Sequence, residues 1–406
     1  MERINADVVV VGGGPSGFGA AISAAKEGAH VVLLEEDSQL GGAAVDYGVQ
    51  GFSPGIICGV HAEIREILAA VDYTYKHTKC EFNSHWYAHA CNLIASREPK
   101  LQILNHTIGI GVLQQGDQVR GVVAQTRIAG KHTEIEILAP VTIDCTGDGD
   151  IAFAAGCKYR YGREASAEFN EPHAPAVADN QVQLCTWMYR SRRIDEQSQY
   201  VPDFCYNRDI GFNEYLHWGC QVPCADTVDS EELRKAEQAA WEVMRPNFAT
   251  LQENGFVVTY MAPRLGIRES RRIVGEVIIT ENDCASGRRF PDAITSSKRG
   301  LDSWEPDRAK IFYGSSAMYD IPLRALLPQG KTGILVAGRC ISATHIALSG
   351  FRVMPTVTSI GQAAGLAAAM AAQQGCLVQD ISVSQLQQRL ESAPHNVRWS
   401  KHVAPK

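Results

Sequence analysis

Polar and apolar positions separate sharply at the start of the chain. Asp7 is followed by four consecutive valines, Val8–Val11, an apolar block without a polar face that predicts a strand buried on both sides. A glycine-rich hexapeptide follows, and then Ala20–Gly28, a run of small residues that predicts a helix stopped by Gly28. Val31–Glu35 repeats the apolar block and predicts a second buried strand. Ser84–Ser96 reads as a helix preceding a strand at Leu101–Asn105. Leu101–Gln115, Val119–Arg127 and Thr133–Val141 alternate with the period of strands, and Gln115-Gly116-Asp117 and Ala129-Gly130-Lys131 supply turns. Glu231–Phe248 has the spacing of an amphipathic helix with a solvated charged face. Near the other end, Thr332–Arg339 predicts a further buried strand. Thr356–Ala372, built of Ala, Gly and Ser, predicts a helix behind Pro355, a residue favoured at a first helical turn.

The glycines give the first unit its chemistry. Gly12, Gly14 and Gly17 form G-x-G-x-x-G between a strand and a helix, with the acid Glu35 about 20 residues on, the pattern of a dinucleotide cradle. Gly12 permits the tight turn, Gly14 lets the backbone approach a pyrophosphate, and Gly17 brings helix and strand together. The helix N-terminus offers N–H groups and a positive dipole to the diphosphate, and Glu35 is placed to accept the ribose hydroxyls. Leu40-Gly41-Gly42 adds a glycine pair after the second strand. The meander ends in Thr146-Gly147-Asp148-Gly149-Asp150, whose acids also suggest a calcium loop. Asp144, Asp148 and Asp150 lack the closing Glu such a loop needs.

Composition narrows the class. The chain has 406 residues, 45% hydrophobic and 20% charged, with a net charge of −7. These are globular proportions, and the charge leaves no general attraction for nucleic acid. No apolar run approaches the ~18 residues of a membrane span. The 12 cysteines are scattered without a CxxC pair, which predicts neither a disulfide framework nor an iron–sulfur site. A strand directly after Met1 leaves no signal peptide, so a cytoplasmic location is expected.

Taken in order, Gly12–Gly17 with Glu35, Gly41-Gly42, Thr146–Asp150, Gly266–Gly275, Ile321–Pro328 and the Ala337-to-Gly365 block resemble one family. It is the FAD-dependent oxidoreductases related to the flavoprotein subunits of succinate dehydrogenase and fumarate reductase. The resemblance spans about residues 5–375. It implies an α/β fold of the glutathione-reductase type, with a Rossmann-like, three-layer FAD-binding domain and an inserted α+β substrate or cap domain. The expected division is 1–156 and 320–380 for the FAD domain, 157–319 for the insertion, and 381–406 for a C-terminal tail.

By the same resemblance, Gly12, Gly14, Pro15, Ser16, Gly17, Glu35 and Glu36 would hold the ADP half of FAD, and Gly41 and Gly42 its diphosphate. Ile108 would meet the adenine, and Thr146, Gly147 and Asp148 would lie beside the nucleotide. Gly338 and Arg339 would approach the diphosphate and ribityl chain, with Pro355, Thr356 and Val357 near the flavin pyrimidine. There the helix dipole would favour the negative charge of reduced flavin.

The candidates for chemistry are His345, Arg352, Arg268 and Tyr319. His345 lies between the Gly338-Arg339 turn and Arg352, so it is expected to approach the flavin and accept a proton while hydride moves from an alcohol or amine to N5. The alternative is reduction or desaturation of a C=C bond beside a carboxylate held by Arg268 or Arg352. A third reading, from another class, is a thiazole-synthase-like enzyme that uses a dinucleotide without redox turnover. Arg268, Arg271 and Arg272 are alternatively structural partners of Glu269 or Glu276. Cys80, His85, His89 and Cys91 cluster within a dozen residues, but Cys91 would leave the helix face shared by the two histidines, and no metal is expected. Cys220 and Cys224 are equally ambiguous. The expected partner is a small-molecule substrate. The electron acceptor (O2, a quinone or a carrier), the flavin linkage and the oligomeric state stay open.

Overall fold

In the computed structural model, which describes residues 2–203, 205–307, 311–312 and 317–397, the four valines form the middle strand of a parallel sheet. The order is Ile334–Val336, Val141–Asp144, Val8–Val11, Val31–Leu34, Leu101–Leu104, with Val8 opposite both Val31 and Val141. Val8–Val11 and Val31–Leu34 are buried along their whole length, as the absence of a polar face requires. The helices Pro15–Lys26 and Met354–Gln374 pack backbone to backbone. A Cβ on Gly361 would stand 1.9 Å from the Ser16 carbonyl oxygen, and one on Gly365 2.0 Å from that of Ala20.

The expected run Leu101–Gln115 is two strands in two sheets. The chain turns at Asn105-His106-Thr107, where His106 has φ 54°, a conformation open to few residue types besides Gly, His among them. It then re-enters as Ile108–Gln115 in a meander with Gln118–Ile128 and Lys131–Leu138. Glu2–Asn5 adds itself to that meander in parallel.

A third, antiparallel sheet is ordered Tyr206–Gly211, Glu214–Trp218, Met188–Arg193, Phe256–Met261. The amphipathic helix covers Ser230–Glu253, longer than its apolar spacing predicts, and continues through Pro246. This region has its own apolar core, drawn from Cys185 to Leu265 and including Tyr189, Leu216 and Met244. Cys157 and the stretch from Ile273 to Leu301, within the span expected for the insertion, pack instead into the first core.

The segment after 381 is docked. The helix Val383–Glu391 buries Leu386 and Leu390, and His395 meets Ser23 at 2.9 Å. Residues 398–406 of the expected tail lie outside the described residues. Among the described residues no helix is long and apolar enough to cross a membrane.

Candidate active site

A cavity of about 730 Å³ opens along the carboxyl ends of the parallel strands. Two glycines enforce its floor. Gly12 has φ 97°, and a Cβ there would lie 2.5 Å from the Cys145 carbonyl oxygen; a Cβ on Gly17 would lie 1.7 Å from Gly12 O. Gly17 therefore acts from behind the cavity wall, while Gly12, Gly14, Pro15 and Ser16 line it. Gly42 faces Gly14 across the gap, where a Cβ would come within 2.7 Å of Gly14 Cα. Gly41 stands behind Gly42, outside the lining.

Two helix N-termini point at this cavity. Neither Pro15–Lys26 nor Met354–Gln374 has a side-chain cap or an acid in its first turn, so the free N–H groups and dipoles are left for an anion. Val357 lines the cavity; Pro355 packs against Gly55, and Thr356 is buried outside the lining. At the opposite end Glu35 is 5% exposed and accepts hydrogen bonds from Gly13 N (2.7 Å) and Asp37 N (2.9 Å). Burial raises its pKa, and the two amides oppose that. Glu36 lines the same end and pairs with Arg264, which also reaches Asp37 at 3.0 Å. Ile108 lines the cavity beside them.

The Thr146–Asp150 turn is held by hydrogen bonds to the Asp144 carboxylate and by two arginines. Asp144 accepts from Thr146 N, Thr146 Oγ1 and Ala152 N. Asp148 pairs with Arg339 at 2.5 Å, and Asp150 with Arg271 at 2.7 Å. Thr146, Gly147, Asp148, Gly338 and Arg339 all line the cavity. The Arg339 guanidinium is engaged throughout, also donating to Gly147 O and Ile267 O.

The remaining wall carries Arg268 and Arg352, along with Arg208 and Arg299, which are paired with Glu81 and Asp302 respectively. Arg268 donates from one nitrogen to Leu184 O and Thr186 Oγ1, both 2.5 Å away, and lies 4.8 Å over the Trp304 ring. Arg352 donates to Gln183 Oε1 (2.8 Å) and Asp302 O (3.0 Å). Among the described residues neither forms a salt bridge. Burial lowers the Arg268 pKa to about 10. Burial, and then the Arg268 charge, lowers that of Arg352 to about 9.

His345 is not on that wall. It begins the helix His345–Phe351, is 1% exposed, and lies outside the cavity lining. Its Nδ1 is 2.7 Å from Glu269 Oε2 and its Nε2 is 2.8 Å from Glu305 Oε1. Burial alone would lower its pKa, but the two carboxylates outweigh it and raise it to about 9. The expected approach to the cofactor fails because the helix start turns the ring toward these acids. Tyr319 is likewise off the cavity, fully buried in the strand Tyr319–Pro322.

A family model described as FAD dependent oxidoreductase matches residues 7–390. The chain belongs to that family. FAD is accordingly its cofactor, and the residues present fit it: a glycine cradle closed to side chains at Gly12, Gly17 and Gly42, two uncapped helix N-termini for a diphosphate, and the buried Glu35 carboxylate for a ribose.

Among curated relatives of this FAD-dependent oxidoreductase, the thiamine thiazole synthase of Pyrococcus furiosus is 30% identical over 159 residues, 37% of this chain and 60% of the relative. The chain thus spans less than two thirds of the length of the first relatives it matches. Sarcosine oxidase subunit alpha of a Corynebacterium species is 37% identical over 74 residues, 18% of this chain and 8% of that one. In structure, a geranylgeranyl bacteriochlorophyll reductase-like protein of Thermoplasma acidophilum covers 96% of this chain and 84% of its own at TM-score 0.49 and 12% identity. E. coli quinol fumarate reductase covers 96% and 75% at TM-score 0.38 and 12% identity. The fumarate reductase relation is therefore one of several, and the wider family is what the matches support.

Sequence reading missed part of this wall. Trp304, Thr186, Met188, Tyr206 and Trp218 line the cavity of the flavoprotein, and the signal the sequence offers for them is aromatic residues interleaved with Arg, as in Trp187-Met188-Tyr189-Arg190. Asp46 lines it too, and burial, then Asp37 and Glu35, raise its pKa to about 7. The Cys80–Cys91 group is dispersed. Cys80 lines the cavity and donates to Phe52 O, His85 and His89 flank Trp86, and Cys91 is buried in the core. Cys220 and Cys224 are buried in the second core. Among the described residues no three His, Cys, Asp or Glu side chains are grouped to hold a metal ion.

Proposed function

We propose that this protein exchanges a hydride between FAD and a small organic anion. The observation that carries this reading is the pair of half-buried guanidiniums, Arg268 and Arg352, which face the same cavity as the dinucleotide cradle and make no salt bridge among the described residues, the nearby Asp302 carboxylate being paired with Arg299. A half-buried cation without a counter-ion is costly unless a ligand supplies one. Bound FAD supplies two-electron redox chemistry at its N5.

The chain's own groups do the rest. Arg268 and Arg352 bind and orient the anionic group of the substrate, and Trp304 lies over Arg268 and shields it from water. Among the earlier alternatives this favours a redox change next to a carboxylate. Oxidation of an alcohol or amine remains compatible where the substrate is also an acid, with His345 acting as a positioning residue instead of a base. We read residues 185–267 as the substrate-facing unit over an FAD-binding unit made from both chain ends.

Anaerobic bleaching of the purified flavoprotein tests the reading. Hydroxy, amino and saturated acids should bleach it where their methyl esters do not, and Arg352→Met should abolish the difference. Equal bleaching by esters would refute the anion requirement.

The likeness to thiamine thiazole synthases favours a second reading, a non-redox enzyme that uses its dinucleotide as substrate. Acid extraction separates the two: released FAD is yellow, whereas a colourless adenylated product would support the second.

A further inference from the structure

The antiparallel sheet presents one face to the same cavity. Tyr206 is directly opposite Trp218, and Trp218 is directly opposite Met188, so the three side chains form one row across three strands. Directly paired residues share a face, at about 5 Å per strand, so the row is roughly 10 Å wide. All three line the cavity. The Tyr206 and Trp218 rings meet edge to face at 4.8 Å.

Thr186, two residues before Met188, continues that face along the strand, roughly 7 Å away, and its hydroxyl accepts from Arg268. The apolar row therefore adjoins the two arginines. Arg208, two residues beyond Tyr206, bounds it on the other side but is already neutralised by Glu81. One end of the platform calls for an anion and the other does not.

Resting on the proposed function above, we propose that the substrate is a monocarboxylate on a flat apolar or aromatic body. Arg268 and Arg352 hold the carboxylate, and the body lies across Met188, Trp218 and Tyr206. A dicarboxylate would bring a second charge onto the apolar row, and a short aliphatic acid would leave that row uncovered.

The test is calorimetric titration of the holoenzyme with 3-phenylpropionate, 3-phenylpropionamide, propionate and succinate, with FAD content read separately from the acid supernatant. We expect 3-phenylpropionate to bind at least about tenfold more tightly than each of the others. Arg352→Met should remove the preference for acid over amide. Tyr206→Ser, at a side chain that is half exposed and so not needed for folding, should weaken 3-phenylpropionate several-fold and leave propionate unchanged. Equal binding of the amide, of propionate or of succinate, or no binding of any of the four, overturns the proposal. With FAD content normal, equal binding of propionate or succinate, or no binding at all, removes this inference alone, whereas equal binding of the amide also removes the anion requirement of the proposed function. Discriminating binding by a protein that takes up no FAD would keep it and remove the hydride reading.

Discussion

Arg268 and Arg352 are each a few residues from a second set of charges, and the two sets differ in pairing and in depth. Behind the wall, Arg163, Arg272 and His345 interleave with Glu164, Glu269 and Glu305. Arg163 reaches Glu305 at 3.1 Å, Arg272 reaches Glu164 at 3.1 Å and Glu269 at 3.2 Å, and His345 bridges Glu269 and Glu305. Arg163 also pairs with Asp179 and Asp307, so with the imidazole protonated every positive charge of this set has at least two carboxylate partners. On the wall, Arg268 and Arg352 form no salt bridge among the described residues, and the nearby Asp302 is paired with Arg299. A closed network fixes the segments that carry the wall, and an open one waits for a ligand. The closed set is fully buried whereas Arg268 and Arg352 are only partly so, and pairing as well as depth separates scaffold from site.

The largest effect should come from opening the closed set. Glu269→Ala strips a partner from both His345 and Arg272 and should cost ~3–5 kcal/mol in urea unfolding. Arg352→Met should leave the unfolding midpoint unchanged or raised; similar losses for both variants would erase the distinction.

Protonation probes the same set. The His345 pKa is raised from 6.5 to about 9 in the folded chain, so its contribution is complete below pH 6.5 and disappears as pH rises through 9. That amounts to about 3 kcal/mol. Wild-type stability should fall across this window, and His345→Gln should be flat over it.

For the open set, Arg352→Met should lower kcat/KM for an acid substrate roughly 100-fold, about 2.7 kcal/mol, while stability holds. Exposed pairs complete the scale. Arg264→Ala breaks contacts to Glu36 and Asp37 at the cavity mouth, where side chains are nearly half exposed, and should change stability by less than ~1 kcal/mol.

The parallel sheet and its cradle were legible because their signals are local: four valines, a glycine triplet at fixed spacing, an acid at the next strand end. The wall was not. Arg268, Arg271 and Arg272 are alike in sequence, yet one faces the cavity, one pairs with Asp150 over the Phe153 ring, and one joins the buried network. Their partners come from distant segments that no spacing reveals. His345 misled for the same reason, since nearness to Arg339 along the chain says nothing of Glu269 and Glu305. The break at His106 was hidden because alternation continues through it, and only its backbone angle separates the two strands.

The backbone-to-backbone seam between Pro15–Lys26 and Met354–Gln374 has a consequence for biogenesis. The cradle residues are translated well before the edge strand Ile334–Val336 and the second helix that complete their surroundings. A nascent chain must therefore hold an unfinished sheet, with its apolar strands uncovered, until the segment through Gln374 has left the ribosome. Capture of the cofactor becomes a late event, and a transcript cut short before Gly361 yields an aggregation-prone polypeptide with no residual flavoprotein.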